Sequence, residues 1–282
     1  MKISRADFIK SAGISILGTA MPLSGAYASS NAINIEEPSF QFGISSGILK
    51  KFTLEKAARI SLKMGIYNMI LCESHLSKNL ARKDIQKIID NLKNQSITPY
   101  AVGELVLNTK DDVKKAFEYA QAAGVKLIVA SPDLKLLPDI EKAVKKFSVI
   151  KIAIHNHGPE DARFPTPGSA FDIIQNMDDK IGLCIDIGHT IRAGQDPAKK
   201  IIKYADRVFD VHLKDENNST KEATNIEIGR GVANYPEIMR ALKKIKYDKV
   251  ACFEIEKDEE DPIGAISESI GYVKGVWSGI NS

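Results

Sequence analysis

The sequence predicts an α/β fold, a single (β/α)₈ TIM barrel. Three observations predict it. Short apolar, β-branched runs alternate with amphipathic segments through the chain, the links leading from helix to strand are short, and no second domain or linker interrupts the pattern. Such alternation is the signature of parallel β-α-β units. The apolar runs read as strands buried on both faces. An open doubly wound sheet would more often show a glycine-rich fingerprint after its first strand, which Gly43-Ile44-Ser45-Ser46-Gly47 does not fit.

In chain order, Phe40–Ser45 is the first strand and Phe52–Met64 the first helix, with Gly65 as its C-cap. Tyr67–Glu73 is the second strand. Arg82–Gln95 is an amphipathic helix with Ile85, Ile88, Ile89 and Leu92 on one face. Ile97–Val102 is strand three, Asp111–Ala123 helix three, Val125–Ala130 strand four and Pro138–Phe147 helix four, with Pro in its first turn. Val149–His155 is strand five. The Pro-rich connection Gly158–Gly168 has the length of an active-site loop. Ser169–Met177, Ile181–Asp186, Pro197–Ala205 and Arg207–Lys214 continue the alternation. A second long connection, Glu216–Asn234, leads to Pro236–Ile245, then strand eight at Lys249–Ile255 and helix eight at Pro262–Trp277.

The first residues read differently. Lys2, Arg5 and Lys10 form a positive n-region, Ala12–Leu23 is apolar but too short to span a bilayer, and Ala26-Tyr27-Ala28 is a cleavage site. Residues 1–28 are therefore expected to be a secretory signal and 29–282 the barrel, exported to the periplasm. Ser4–Lys10 resembles a twin-arginine signal with Ala6 where the second Arg belongs. The alternative is an amphipathic first helix. The remaining part, about 250 residues, is the usual size of such a barrel.

A net charge of +3 does not predict nucleic-acid binding. No later stretch is apolar enough to span a membrane. Cys72, Cys184 and Cys252 all sit in expected strands and there is no CxxC, which argues for buried apolar side chains rather than disulfides.

Four strands end in His or a carboxylate: Val149–His157, Ile181–His189, Arg207–Asp215 and Lys249–Glu256. Strand C-termini in a barrel converge on one mouth, and residues two apart on a strand share a face. His155, Asp186, His212 and Glu254 can therefore meet. A carboxylate at the end of a buried strand is costly unless paired or bound to a cation. Taken singly, each of the four could cap a helix or fill the core. Together, their nitrogen and oxygen donors suit one divalent ion (Mn²⁺, Mg²⁺, Co²⁺ or Zn²⁺) rather than a thiolate site.

The ordered set of strand ends resembles the sugar phosphate isomerase/epimerase family of xylose-isomerase-like barrels, which includes ketose 3-epimerases, inosose dehydratases and the endonuclease IV fold. The resemblance covers nearly the whole chain beyond the signal. It implies that a Glu after strand five, an Asp after six, a His after seven and a Glu after eight bind one divalent ion. Asp186 in Asp-Ile-Gly-His, His212 in Val-His-Leu-Lys-Asp and Glu254 in Phe-Glu-Ile-Glu match the last three, and His189 matches a nearby substrate-contacting His. Gly229-Arg230-Gly231 with Tyr235-Pro236 resembles the family's Gly-x-Gly loop. At strand five the chain departs: His155-Asn156-His157 stands where many epimerases have Glu-Pro or Glu-Asn. His155 keeps a metal-ligand type but removes a carboxylate that a two-base epimerase uses, and the His-x-His is closer to the inosose dehydratase pattern.

The resemblance implies metal-dependent enolisation of a sugar or keto-sugar, an isomerase or epimerase type of chemistry, with a sugar lyase or dehydratase as the alternative. Glu254 is the expected base and His155 or His189 the acid partner. Glu73, His75, His157, Lys214 and Glu256 are expected substrate-side or supporting groups, with plain loop or solvated roles as the alternative. Glu104 is a further candidate to point inward, on a strand too irregular to phase. Lys110–Lys115 and Lys142–Lys146 read as solvated helix faces. The expected partner is a small sugar, with no nucleic acid and a homo-oligomer left open. Two rivals are a zinc-dependent nuclease of the endonuclease IV type, which would need more ligands and a basic groove, and a catalytically inactive carbohydrate-binding barrel.

Overall fold

A computed structural model describes residues 38–281. The expected secretory signal lies outside the described residues. The strands are β1 (Gln41–Ser45), β2 (Asn68–Cys72), β3 (Thr98–Leu107), β4 (Leu127–Pro132), β5 (Lys151–His155), β6 (Ile181–Asp186), β7 (Val208–Leu213) and β8 (Val250–Phe253). They close a barrel in the order β1-β8-β7-β6-β5-β4-β3-β2. Every pairing is parallel, including the closing pair β1–β8. The helices are α1 (Leu54–Lys63), α2 (Arg82–Asn94), α3 (Lys110–Ala123), α4 (Leu137–Lys146), α5 (Pro167–Ile174), α6 (Ile187–Arg192), α7 (Pro197–Lys203), α8 (Tyr235–Lys244) and α9 (Ile263–Ile280). The expected TIM barrel is the fold observed, with most boundaries moved by one to three residues. Among the described residues no helix is long and apolar enough to cross a membrane.

Sequence chemistry sets the helix starts. Thr109 and Thr166 cap α3 and α5 reciprocally with Asp112 and Ser169, and Asn234 caps α8. Two apolar layers then hold the fold. One lies between strands and helices and includes Ile128, Ile152, Leu183 and Val211 with Phe117, Ile140 and Leu242. The other, Ile70, Ala101, Val129, Ala153, Cys184, Phe209 and Cys252, fills the barrel interior. All three cysteines are free and buried, as expected of small apolar side chains.

Three features depart from the sequence reading. A single helix was expected after β6, but α6 begins directly at Ile187 and is separate from α7. The loop after β7 forms a small antiparallel hairpin, Asp215–Glu216 with Asn225–Ile226. The third is β3, which runs to Leu107 instead of ending at Val102. Its register against β4 shifts between Val102 and Leu105, so Gly103 and Glu104 stand opposite Val129 alone, a β-bulge. Gly103 is required there, because a Cβ would stand 2.1 Å from Ile70 Cδ1.

Candidate metal centre

The interior layer explains where the site lies. One pleat beyond Ala153, Cys184 and Cys252 the same faces carry His155, Asp186 and Glu254. On β7 a register shift against β6 pairs Asp210 with Cys184 and His212 with Asp186. Ligand atoms of His155, Asp186, His212 and Glu254 all lie within 4.8 Å of one another, and all four residues are buried.

The internal distances are those of a coordination polyhedron. His155 Nε2 lies 3.1 Å from His212 Nδ1, which lies 3.1 Å from Glu254 Oε2. His155 Nε2 is 3.7 Å from Asp186 Oδ2 and 3.9 Å from Glu254 Oε2. Ligands about 2.1 Å from a common ion are separated by about 3 Å or more. Asp186 Oδ2 is buried and accepts no hydrogen bond, its nearest cation being Lys214 Nζ at 3.4 Å. Two imidazoles, two carboxylates and an orphaned buried oxygen fit a hard or borderline divalent ion. Asp186 uses its other oxygen, Oδ1, to accept from His189 N–H at the start of α6. The helix-cap reading and the ligand reading of Asp186 therefore apply to different oxygens of one carboxylate.

Supporting groups surround the four. His212 Nε2 faces Asp210 Oδ2 at 3.9 Å, and Tyr100 donates to that oxygen at 3.0 Å. His157 Nε2 meets His155 Nδ1 at 3.1 Å, and burial, reinforced by the charge of His155, lowers the His157 pKa to about 4. His189 Nδ1 accepts from Arg192, an obligatory donor, at 3.2 Å, so the ring proton sits on Nε2. Burial lowers its pKa to about 3, and the ring is a neutral donor at pH 7. Arg192 also bonds Glu160 and the Lys221 carbonyl, tying both long connections to α6.

Lys214 is almost fully buried and stands among three carboxylates. Its Nζ is 2.7 Å from Glu256 Oε2 and 3.0 Å from Glu254 Oε2. Burial opposes ionisation of Glu254, but Lys214 and His212 outweigh it and hold its carboxyl well below the usual range. Glu256 touches the centre only through Lys214.

Glu73 and His75 are engaged elsewhere. Glu73 pairs with Lys78 at 2.8 Å and His75 Nε2 bonds the Phe52 carbonyl at 2.9 Å. Their bonds run to loop partners, the alternative that the sequence reading carried for both. Conversely, Glu104 is brought inward by the bulge. Burial and the neighbouring Glu254 carboxylate push its pKa up to about 8. Glu216, which the sequence reading missed, is buried with Oε2 unbonded. Its place follows from the hairpin after β7, for which the sequence offered only a long polar loop. The Gly229–Gly231 loop is fixed by Asp215, whose carboxylate accepts from the N–H of Gly229, Gly231 and Ala233. A Cβ at Gly231 would stand 2.2 Å from Asp215 Oδ1, so the close approach needs glycine.

Among solved structures, the chain is similar to a D-tagatose 3-epimerase-like protein, with TM-score 0.70, 21% identity, and 86% of this chain and 98% of that one covered. It is equally similar to the IOLI protein with a bound zinc atom, with TM-score 0.70, 19% identity and the same coverage. A probable 3-DHS dehydratase from Bacillus anthracis follows with TM-score 0.69, 10% identity, and 83% and 98% covered. These likenesses establish the fold. In sequence, an uncharacterized protein of Methanocaldococcus jannaschii is 36% identical over 93 residues, 32% of this chain, and the match spans 31% of that relative's length. Residues 53–276 match the profile of the xylose isomerase-like TIM barrels. With the closed parallel barrel and its strand-end cluster, this match shows that the chain belongs to the xylose isomerase-like TIM barrel family.

Proposed function

We propose that the protein is a divalent-metal-dependent enzyme that enolises a sugar or keto-sugar, with isomerisation or epimerisation as the outcome. The observation that carries this is the convergence of His155, Asp186, His212 and Glu254 on the orphaned Asp186 Oδ2 at the barrel mouth. These four residues would hold the ion, which when bound supplies positive charge to offset an enediolate. Glu254, ionised at neutral pH, accepts the C–H proton. His189 presents its Nε2–H to a substrate oxygen, and His157 fixes His155 through Nδ1. Lys214 holds Glu254 and Glu256 in place and adds positive charge beside the oxygen that develops charge. Likeness to epimerase and dehydratase structures supports a sugar-type substrate, which is the only ligand class we assign.

A second outcome, elimination by a lyase or dehydratase, is favoured by His155 in place of the strand-five carboxylate and by likeness to a probable dehydratase. We place the enzyme outside the cytoplasm from the N-terminal sequence alone, which points to free or glycosidic sugars. The deciding experiment incubates D-fructose, D-tagatose, L-ribulose and an oxidised methyl glycoside in D₂O with and without Mn²⁺, followed by NMR. Mn²⁺-dependent deuterium incorporation supports enolisation, and the product separates isomer from enone. Binding of a sugar with no exchange in any of them would favour the inactive carbohydrate-binding barrel.

A further inference from the structure

Glu104 lies outside the four ligands, yet the chain departs from regular strand geometry to place it. The bulge in β3 changes the phase of the strand, so that Leu105 packs in the outer layer and Glu104 turns toward the interior. Glu104 itself has φ +57°, the left-handed region that a residue with a side chain rarely adopts. Strain of this kind persists where the surroundings impose it, and it collects at functional sites. Its carboxyl stands between Ser45 and the carboxyl of Glu254. Ser45, at the end of β1, donates to Oε1 at 2.7 Å. A Cβ at Gly47 would stand 3.2 Å from Oε2, so the absence of a side chain there leaves that oxygen room. The residue is half-buried, and its carboxyl lies beside that of Glu254. The β1–β3 wall supplies none of the four candidate ligands, and Glu104 is the acidic group it extends toward them.

We propose that Glu104 is a substrate-binding residue, whose carboxyl hydrogen-bonds a hydroxyl of the sugar held at the centre while Ser45 fixes Oε1. The proposal rests on the sugar reading above. A carboxyl bonded to a substrate hydroxyl discriminates against substrates lacking that hydroxyl, because its burial then goes uncompensated. Glu104 is thus a specificity determinant for polyhydroxylated substrates.

The test uses the full chain with Mn²⁺, the keto-sugars named above, and the variants Glu104→Gln and Glu104→Gly. Gln preserves the shape and the bond from Ser45 but replaces the carboxyl by an amide. It is expected to keep the wild-type Tm and raise KM by about 10–100-fold with kcat within a few-fold, the mark of lost binding. Gly relieves the left-handed strain as it removes the carboxylate. Its Tm is expected to stay within about 2 °C of wild type or to rise, with a KM increase at least as large as that of Gln. A Gln variant with KM within twofold of wild type overturns the proposal and makes Glu104 a brace for Ser45. If Gln does not fold, the Gly variant decides by the same KM criterion. Wild-type protein that turns over none of the sugars fails the functional reading itself, a different result from wild-type turnover with an unchanged variant KM.

Discussion

The Nζ of Lys214 stands 3.0 Å from Oε2 of Glu254, an oxygen that also faces both histidines of the cluster. Because Nζ is 3.4 Å from Asp186 Oδ2 as well, one ammonium faces both carboxylates of the candidate metal centre. A divalent ion and this ammonium repel one another. At about 4 Å and an effective dielectric constant near 20, that repulsion amounts to several kcal/mol.

Lys214→Met is therefore expected to tighten Mn²⁺ binding by at least about tenfold, read by calorimetry. The same change should destabilise the metal-free protein by about 3–5 kcal/mol in urea unfolding, since it leaves buried carboxylates unpaired. Unchanged or weaker Mn²⁺ affinity would show that Lys214 orients the ligands and does not compete with the ion.

Asp186 carries two roles on two oxygens, and substitution can separate them. Asp186→Asn retains an oxygen for the His189 N–H but loses the ligand charge. Asp186→Ala loses both. Metal content by elemental analysis should fall in both variants, while the Ala variant should be less stable than the Asn variant by about 1 kcal/mol, the usual worth of a helix cap. Metal content equal to wild type in either variant would remove Asp186 from the ligand set.

The barrel was legible because its strands are continuous apolar runs and its helices amphipathic segments, signals that belong to the local chain. The four-residue cluster was legible because regular strands fix parity: His155, Asp186 and Glu254 each sit two residues beyond an interior side chain. Glu104 is named from the sequence as a candidate to point inward but not phased, for the same reason. A bulge in β3 changes parity, and the close approach of Gly103 to Ile70 beside it is a contact between strands that no local pattern encodes. Glu73 and His75 take the loop role that the sequence reading weighed as the alternative. Their position after β2 was read correctly, but Lys78 and the Phe52 carbonyl, both in nearby loops, take up their polar ends.

Glu216 gives a pH dependence with a defined sign. Burial, assisted by the charge of Asp186, raises its pKa from 4.5 to about 7. A carboxyl that binds its proton more tightly when folded contributes stability below about pH 4.5, and that contribution is lost as the pH rises through 7. Glu216→Gln removes the ionisable group at nearly constant shape. It should be more stable than wild type by on the order of 2–3 kcal/mol at pH 8, with most of the difference gone at pH 5. Urea unfolding of both proteins at the two pH values measures this. A difference independent of pH would mean that Glu216 is ionised in the fold.

The last prediction concerns the face of the substrate from which the proton leaves. Glu254 is the expected base, and His155 occupies the strand end where a second carboxylate would serve the opposite face. Glu104 does not fill that place, because burial and the neighbouring Glu254 carboxylate push its pKa up to about 8 and leave it a poor base at neutral pH. Proton removal and return should therefore use one face, giving an isomer or an eliminated enone with little epimer. Glu254→Gln keeps the shape and an oxygen for the ion while removing the basic carboxylate. Hydrogen exchange from the sugar into D₂O should fall by a factor of roughly 10²–10⁴, measured by NMR at saturating Mn²⁺. His155→Glu restores a carboxylate on the β5 side and should bring in measurable epimer. Efficient epimerisation by the wild type would assign the second proton transfer to His155 or His189. Wild-type exchange in Glu254→Gln would leave Glu254 as a ligand alone and move the search for the base to the remaining groups of the mouth.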